Sequence, residues 1–125
     1  MNHTILAISD EEVAQLISPA EVIDTVEKVF VQAANGKLML GENSFLLSGL
    51  QPGNRFIAMP VSLPDQQVLG LKWISIYQDP APGLPFSHGN VIILNDGRTA
   101  SPLAVVAADR ITTMRTAGGH SVVDA

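Results

Sequence analysis

Residues 70–94 read GLKWISIYQDPAPGLPFSHGNVIIL, and how this stretch is read decides the fold. Its two ends are short runs rich in β-branched and aromatic residues, and a loop dense in proline and glycine lies between them. Such runs favour strands, and such a loop is turn chemistry. One residue sits against the pattern: Lys72, between Leu71 and Trp73. Alternation puts Leu69, Leu71, Trp73 and Ser75 on one face, and Gly70, Lys72, Ile74 and Ile76 on the other. If the second face is buried, Lys72 is a cation in an apolar layer and needs a partner. If it lies at a sheet edge, Lys72 is an ordinary solvated lysine.

Working outward, the same texture recurs in KLMLGENSFLLSG (37–49), RFIAMPVSL (55–63) and TASPLAVVAA (99–108). QPGN, PDQQ and NDGR separate the runs. Asn95-Asp96-Gly97-Arg98 predicts a hairpin, and PDQQ a second one. With no helical pattern between them, these strands pair mainly antiparallel. Val91 and Ile93 point away from Ile92 and Leu94, so the sheet is apolar on both faces and needs two covers.

The helices lie at the ends. After a strand over residues 4–8, Ser9 and Glu12 form a capping-box pattern that starts a short helix ending at Leu16. A second box follows, with Ser18 at the N-cap, Pro19 at the first helical position and Glu21 at the third. The helix predicted over residues 19–35 carries a stripe of Val22, Val26, Val29, Phe30 and Ala33, expected to pack on the sheet. Asn35-Gly36 is its stop. DRITTMRTAGGHSVVDA (109–125) is a last helix, with Asp109 as a candidate cap. The expected architecture is α+β: a mixed, mainly antiparallel sheet with the amphipathic helix packed on one face, residues 1–125 forming one domain.

Composition narrows the function. With 125 residues and 46% of them hydrophobic, the chain is large enough for one core. Seven basic residues face 12 acidic ones, for a formal charge of −5, and no basic block marks a nucleic-acid surface. There is no cysteine, hence no disulfide and no thiolate chemistry. The opening residues carry no signal-peptide pattern and no stretch is long enough to span a membrane, so a cytoplasmic location is expected.

Three candidates for chemistry stand out. Lys72 is the first. Arg115, beside Thr116, Ala117, Gly118 and Gly119, is the second, because small residues allow close approach of a ligand or of another backbone. A solvated arginine on a mediocre helix is the alternative. Ser87-His88 is the third, an imidazole next to a hydroxyl at the start of a strand. A hydrogen-bonded structural histidine is its alternative. No G-x-S-x-G turn, metal-ligand spacing, G-x-G-x-x-G or Walker sequence occurs.

The order and spacing of ISDEEV, SPAEVIDTVEKVFVQAANGK, AMPVSL, GLKWISIY, GLPFSHGNVIIL and ITTMRTAGG resemble the ornithine cyclodeaminase/mu-crystallin family over essentially the whole chain. That family includes ornithine cyclodeaminases, some alanine dehydrogenases and ketimine reductases that use NAD or NADP, and mu-crystallin shows that its scaffold can also serve as a binding protein. The resemblance implies that this is the N-terminal substrate-binding and dimerisation portion, that Lys72 and Arg115 hold the carboxylate of a small amino or imino acid, and that Ser87, His88 and Thr116 approach the nicotinamide end of the cofactor. It implies a homodimer. It assigns no catalytic residue within these positions.

Two departures follow. The family arginine after the long helix is replaced near Glu42-Asn43, where an acid would repel a carboxylate and receive an amine. The dinucleotide fingerprint and its Rossmann domain are absent from these residues, so a truncated family member, inactive and weak in NAD(P) binding by itself, is expected. A non-enzymatic binding module on the same scaffold is the alternative.

Overall fold

A computed structural model describes residues 4–124, with side chains described as far as Thr116. In chain order the elements are β1 (Leu6–Ile8), α1 (Asp10–Leu16), α2 (Pro19–Ala34), β2 (Met39–Leu40), β3 (Ser44–Leu47), β4 (Arg55–Leu63), β5 (Val68–Ile76), β6 (Val91–Asp96), β7 (Pro102–Ala107) and α3 (Asp109–Asp124). A 3-10 turn, Pro64–Gln66, links β4 to β5. The architecture is α+β, with one mixed and mostly antiparallel sheet in the order β1-β7-β6-β5-β4-β2 and β3 also paired to β4.

Local chemistry explains the helix ends. Ser9 accepts from the Glu12 N–H while the Glu12 carboxylate accepts from the Ser9 N–H, so both halves of the box form at the start of α1. Ser18 caps α2 through the Glu21 N–H, with Pro19 in the first turn, where its missing N–H costs nothing. At the other end Gly36, at φ +69°, donates to the Ala33 carbonyl and Lys37 donates to Gln32. This is a Schellman closure that needs the left-handed glycine.

The sheet departs from the simplest reading in three places. KLMLGENSFLLSG gives two short strands, β2 and β3, both on β4. The β1 strand pairs parallel with β7, Ile8 opposite Val106, and makes the sheet mixed. The β6–β7 connection is also longer than a two-residue turn. The Asp96 carboxylate accepts from the Arg98 and Thr99 N–H groups, and Ala100 takes a left-handed φ of +67°.

Register fixes the two faces. Lys72 stands opposite Met59 and Ile92, and Ile92 opposite Val106. This is the helix side, where Val13, Ala104 and Val106 are buried with Ile8, Ile17, Ile92, Leu94 and Ile111 around them. The α2 stripe expected to pack on the sheet is only half-buried at Val22, Val26 and Val29. Val22 and Val26 instead meet Ile111 of α3 across a cleft. The opposite face presents Leu71, Trp73 and Ile93, with Phe56 stacked on Trp73 at 4.9 Å. Trp73 is half-buried there, whereas Val105 and Leu69 are left exposed.

Candidate functional site

The face of Lys72, open in the sequence, is decided by α3. Lys72 is half-buried on the helix side of β5, with uncharged Met59 and Ile92 on its flanking strands. Burial, and then the positive charge of Arg115, hold its ammonium below the usual lysine range, while Asp109 acts in the opposite direction. Two residues 43 positions apart are therefore close enough to repel one another.

Arg115 is exposed on α3 and borders a cleft of about 250 Å³ between α2 and α3, shared with Glu21, Thr25 and Ile111. No ion pair holds it among the described residues. A half-buried ammonium thus lies within electrostatic range of a guanidinium that no ion pair holds among the described residues. Bringing like charges together costs energy that a carboxylate between them removes.

The loop before β6 is held by a polar network. The Asn90 side chain, buried at the strand start, accepts from the Ser75 N–H at 2.9 Å and donates to the Ser87 hydroxyl at 3.0 Å. Buried Ser75 donates its hydroxyl to the His88 carbonyl at 2.7 Å and accepts from the His88 N–H at 3.0 Å. The His88 ring lies 3.1 Å from the Pro85 carbonyl through Nδ1. Because a carbonyl only accepts, that nitrogen carries the proton, and in the neutral ring Nε2 keeps its lone pair.

Asp109 joins the two halves. It does not cap its own helix as the sequence suggested: the first α3 bond runs from the Thr112 N–H to the Ala108 carbonyl. Its carboxylate accepts from Gly89 at 2.8 Å and Asn90 at 2.9 Å. The α3 start is instead satisfied from α1, where Asp10 takes the Arg110 N–H at 3.1 Å and the guanidinium at 2.9 Å. Both contacts hold the Asp10 carboxyl below the ordinary carboxylate range.

Thr116 is exposed and donates its hydroxyl to the Thr112 carbonyl one turn back, leaving its lone pairs open. Ala117, Gly118 and Gly119 lie on the α3 backbone beyond the described side chains. Glu42 and Asn43 are exposed in the β2–β3 link. Ser75, Asn90 and Asp109 are the residues that sequence reading underweighted. Ser75 and Asn90 signalled only through polarity at positions that alternation places in or beside a sheet, and Asp109 carried the signature of a helix cap instead.

The chain belongs to the ornithine cyclodeaminase/mu-crystallin family, whose pattern it matches over residues 2–124. It is 37% identical over 117 residues to the alanine dehydrogenase of Archaeoglobus fulgidus, covering 91% of this chain and 34% of that one. An uncharacterized cyclodeaminase of Dictyostelium discoideum is 32% identical over 134 aligned positions, with 94% and 36% covered. Among solved structures, the Δ1-pyrroline-2-carboxylate reductase of Thermococcus litoralis, in complex with NADH and L-proline, superposes with a TM-score of 0.86 at 33% identity over 94% of this chain and 36% of that one. An archaeal alanine dehydrogenase dimer with bound NAD gives 0.80 at 34% identity over 91% and 34%. The chain thus spans about a third of the length of these relatives. No described helix is long and apolar enough to cross a membrane.

Proposed function

We propose that residues 1–125 form the substrate-binding and dimerisation part of an NAD(P)-dependent, ornithine cyclodeaminase-like enzyme acting on a small amino or imino acid. Lys72 and Arg115 hold the α-carboxylate, Arg115 through a two-pronged contact and Lys72 as a point charge. Ser87, His88 and Thr116 face the nicotinamide end of the cofactor, and a fixed carboxylate orients the α-carbon toward that ring. The carrying observation is the pair of mutually repelling cations on the helix side of the sheet, one of them half-buried. These residues alone hold NAD(P)H weakly, since no glycine-rich helix start grips a pyrophosphate.

The face turned away from the helices supports the partner assignment. A cleft of about 760 Å³, lined mostly by apolar residues such as Met39, Pro60, Leu69 and Leu71, opens there. A second copy is the cover proposed for this face.

The test is calorimetric titration of L-proline into the chain and into Lys72→Met and Arg115→Gln. Each substitution is expected to weaken binding by about ten-fold or more, the scale of one charge-assisted contact. Equal affinity in all three proteins overturns the assignment.

A further inference from the structure

We propose that Asp109 is the positioning residue of this site: its carboxylate fastens residues 87–90 to the first turn of α3, and so sets His88 against Lys72 and Arg115. This rests on the reading of Lys72 and Arg115 as the carboxylate-binding pair.

Both oxygens are engaged, Oδ2 by Gly89 and Oδ1 by Asn90. Two successive N–H groups converge on one carboxylate because Gly89 adopts φ +66°, a left-handed conformation that turns the backbone into an anion-binding nest. The attachment runs both ways, since the Ala108 N–H donates to the Asn90 carbonyl at 2.8 Å. Through Asn90 and Ser75 the same loop is bonded to β5, three residues along from Lys72. Asp109 therefore closes a circuit of β5, loop and helix, and every group assigned to the ligand lies on one of those three segments.

The charge matters as well as the shape. Lys72 faces Met59 and Ile92 from β4 and β6, neither of them charged, and Asp109 and Arg115 from α3. Asp109 is the acid acting on Lys72, and it opposes both burial and Arg115 in keeping the ammonium protonated. Asparagine would keep the size but lose the charge, and would place an amide donor where one of the two N–H groups now points.

Two readouts test this on the whole 125-residue chain. The first is the amide resonances of Gly89 and Asn90, followed by 1H–15N spectroscopy through an acid titration. Both are expected to move together with the protonation of Asp109, and both to shift in Asp109→Asn. Resonances that ignore Asp109 overturn the proposal, and the wild-type titration answers even if the variant does not fold. The second is the pH profile of L-proline affinity. In Asp109→Asn binding weakens about ten-fold and its loss at alkaline pH begins at lower pH than in wild type, because Lys72 deprotonates sooner. A constant loss at every pH, or none, overturns the role of the charge. If wild type binds no L-proline, the functional reading fails, while the amide titration still decides what Asp109 holds.

Discussion

The two ends of the sheet are built from the same kinds of residue and end in different states. At the β1–β7 end Val13, Ala104, Val106 and Ala108 are buried, Ala108 completely, and the heads of α1 and α3 are tied by Asp10 and Arg110. At the β2–β3 end Leu40 is 77% exposed, Phe45 69% and Leu50 88%. The first end is covered on one face by its own helices, while Val105 on the other face stays exposed. The second end leaves large apolar side chains open to solvent, the kind of surface that an interaction partner commonly covers.

Adjacent residues of β7 test the same contrast between covered and open surface within one strand, across the two faces of the sheet. Val106 points into the helix-covered cluster and Val105 to the opposite face. Val106→Asp is expected to cost about 3–5 kcal/mol by urea unfolding, the scale of an uncompensated buried charge. Val105→Asp should cost under about 1 kcal/mol in the monomer while abolishing self-association in analytical ultracentrifugation. Equal losses for the two would erase the distinction between the faces.

The next effect concerns the helix-covered corner. Asp10→Ala removes the acceptor of the Arg110 N–H and its ion pair, and is expected to cost about 1 kcal/mol, as cap removals do. The Asp10 pKa is lowered by folding, so its contribution is complete above the ordinary carboxylate range and disappears as pH falls through the lowered value. The variant should accordingly lose less stability than wild type on acidification. An identical acid profile would place the stabilisation elsewhere. The smallest effect is at Ala100, whose left-handed φ suits glycine: Ala100→Gly should stabilise by about 0.5 kcal/mol in the same unfolding assay, and a loss would show that the turn tolerates alanine without strain.

What could be read beforehand follows the reach of each interaction. Ser9 with Glu12, Ser18 with Pro19, and Gly36 act within one turn of helix, so the boundaries of α1 and α2 were legible. Alternation in β5 and β6 gave the two faces, because side-chain direction in a strand is local. The parallel pairing of β1 with β7 was not legible, since it joins residues nearly 100 apart and depends on where the intervening chain leads. Asp109 shows the same limit within the candidate site. A helix-starting aspartate has the local signature of a cap, yet its bonds run to Gly89 and Asn90, about 20 positions back. Lys72 and Arg115 could be named from their apolar and small neighbours, but only α3 packing on the sheet brings their charges into range.

The central claim is that Lys72 is a cation held among apolar neighbours and beside Arg115 for the use of a carboxylate. Its most direct measurement is the titration of the Lys72 ammonium by lysine-detected NMR, with and without L-proline. Free, Lys72 should titrate below the ordinary lysine range, and because folding disfavours its charge, stability should rise as pH climbs through that lowered value toward the unfolded one. With L-proline bound, the titration should move upward, since an anion favours the charged form. A Lys72 that titrates like a solvated lysine and does not respond to L-proline contradicts the account.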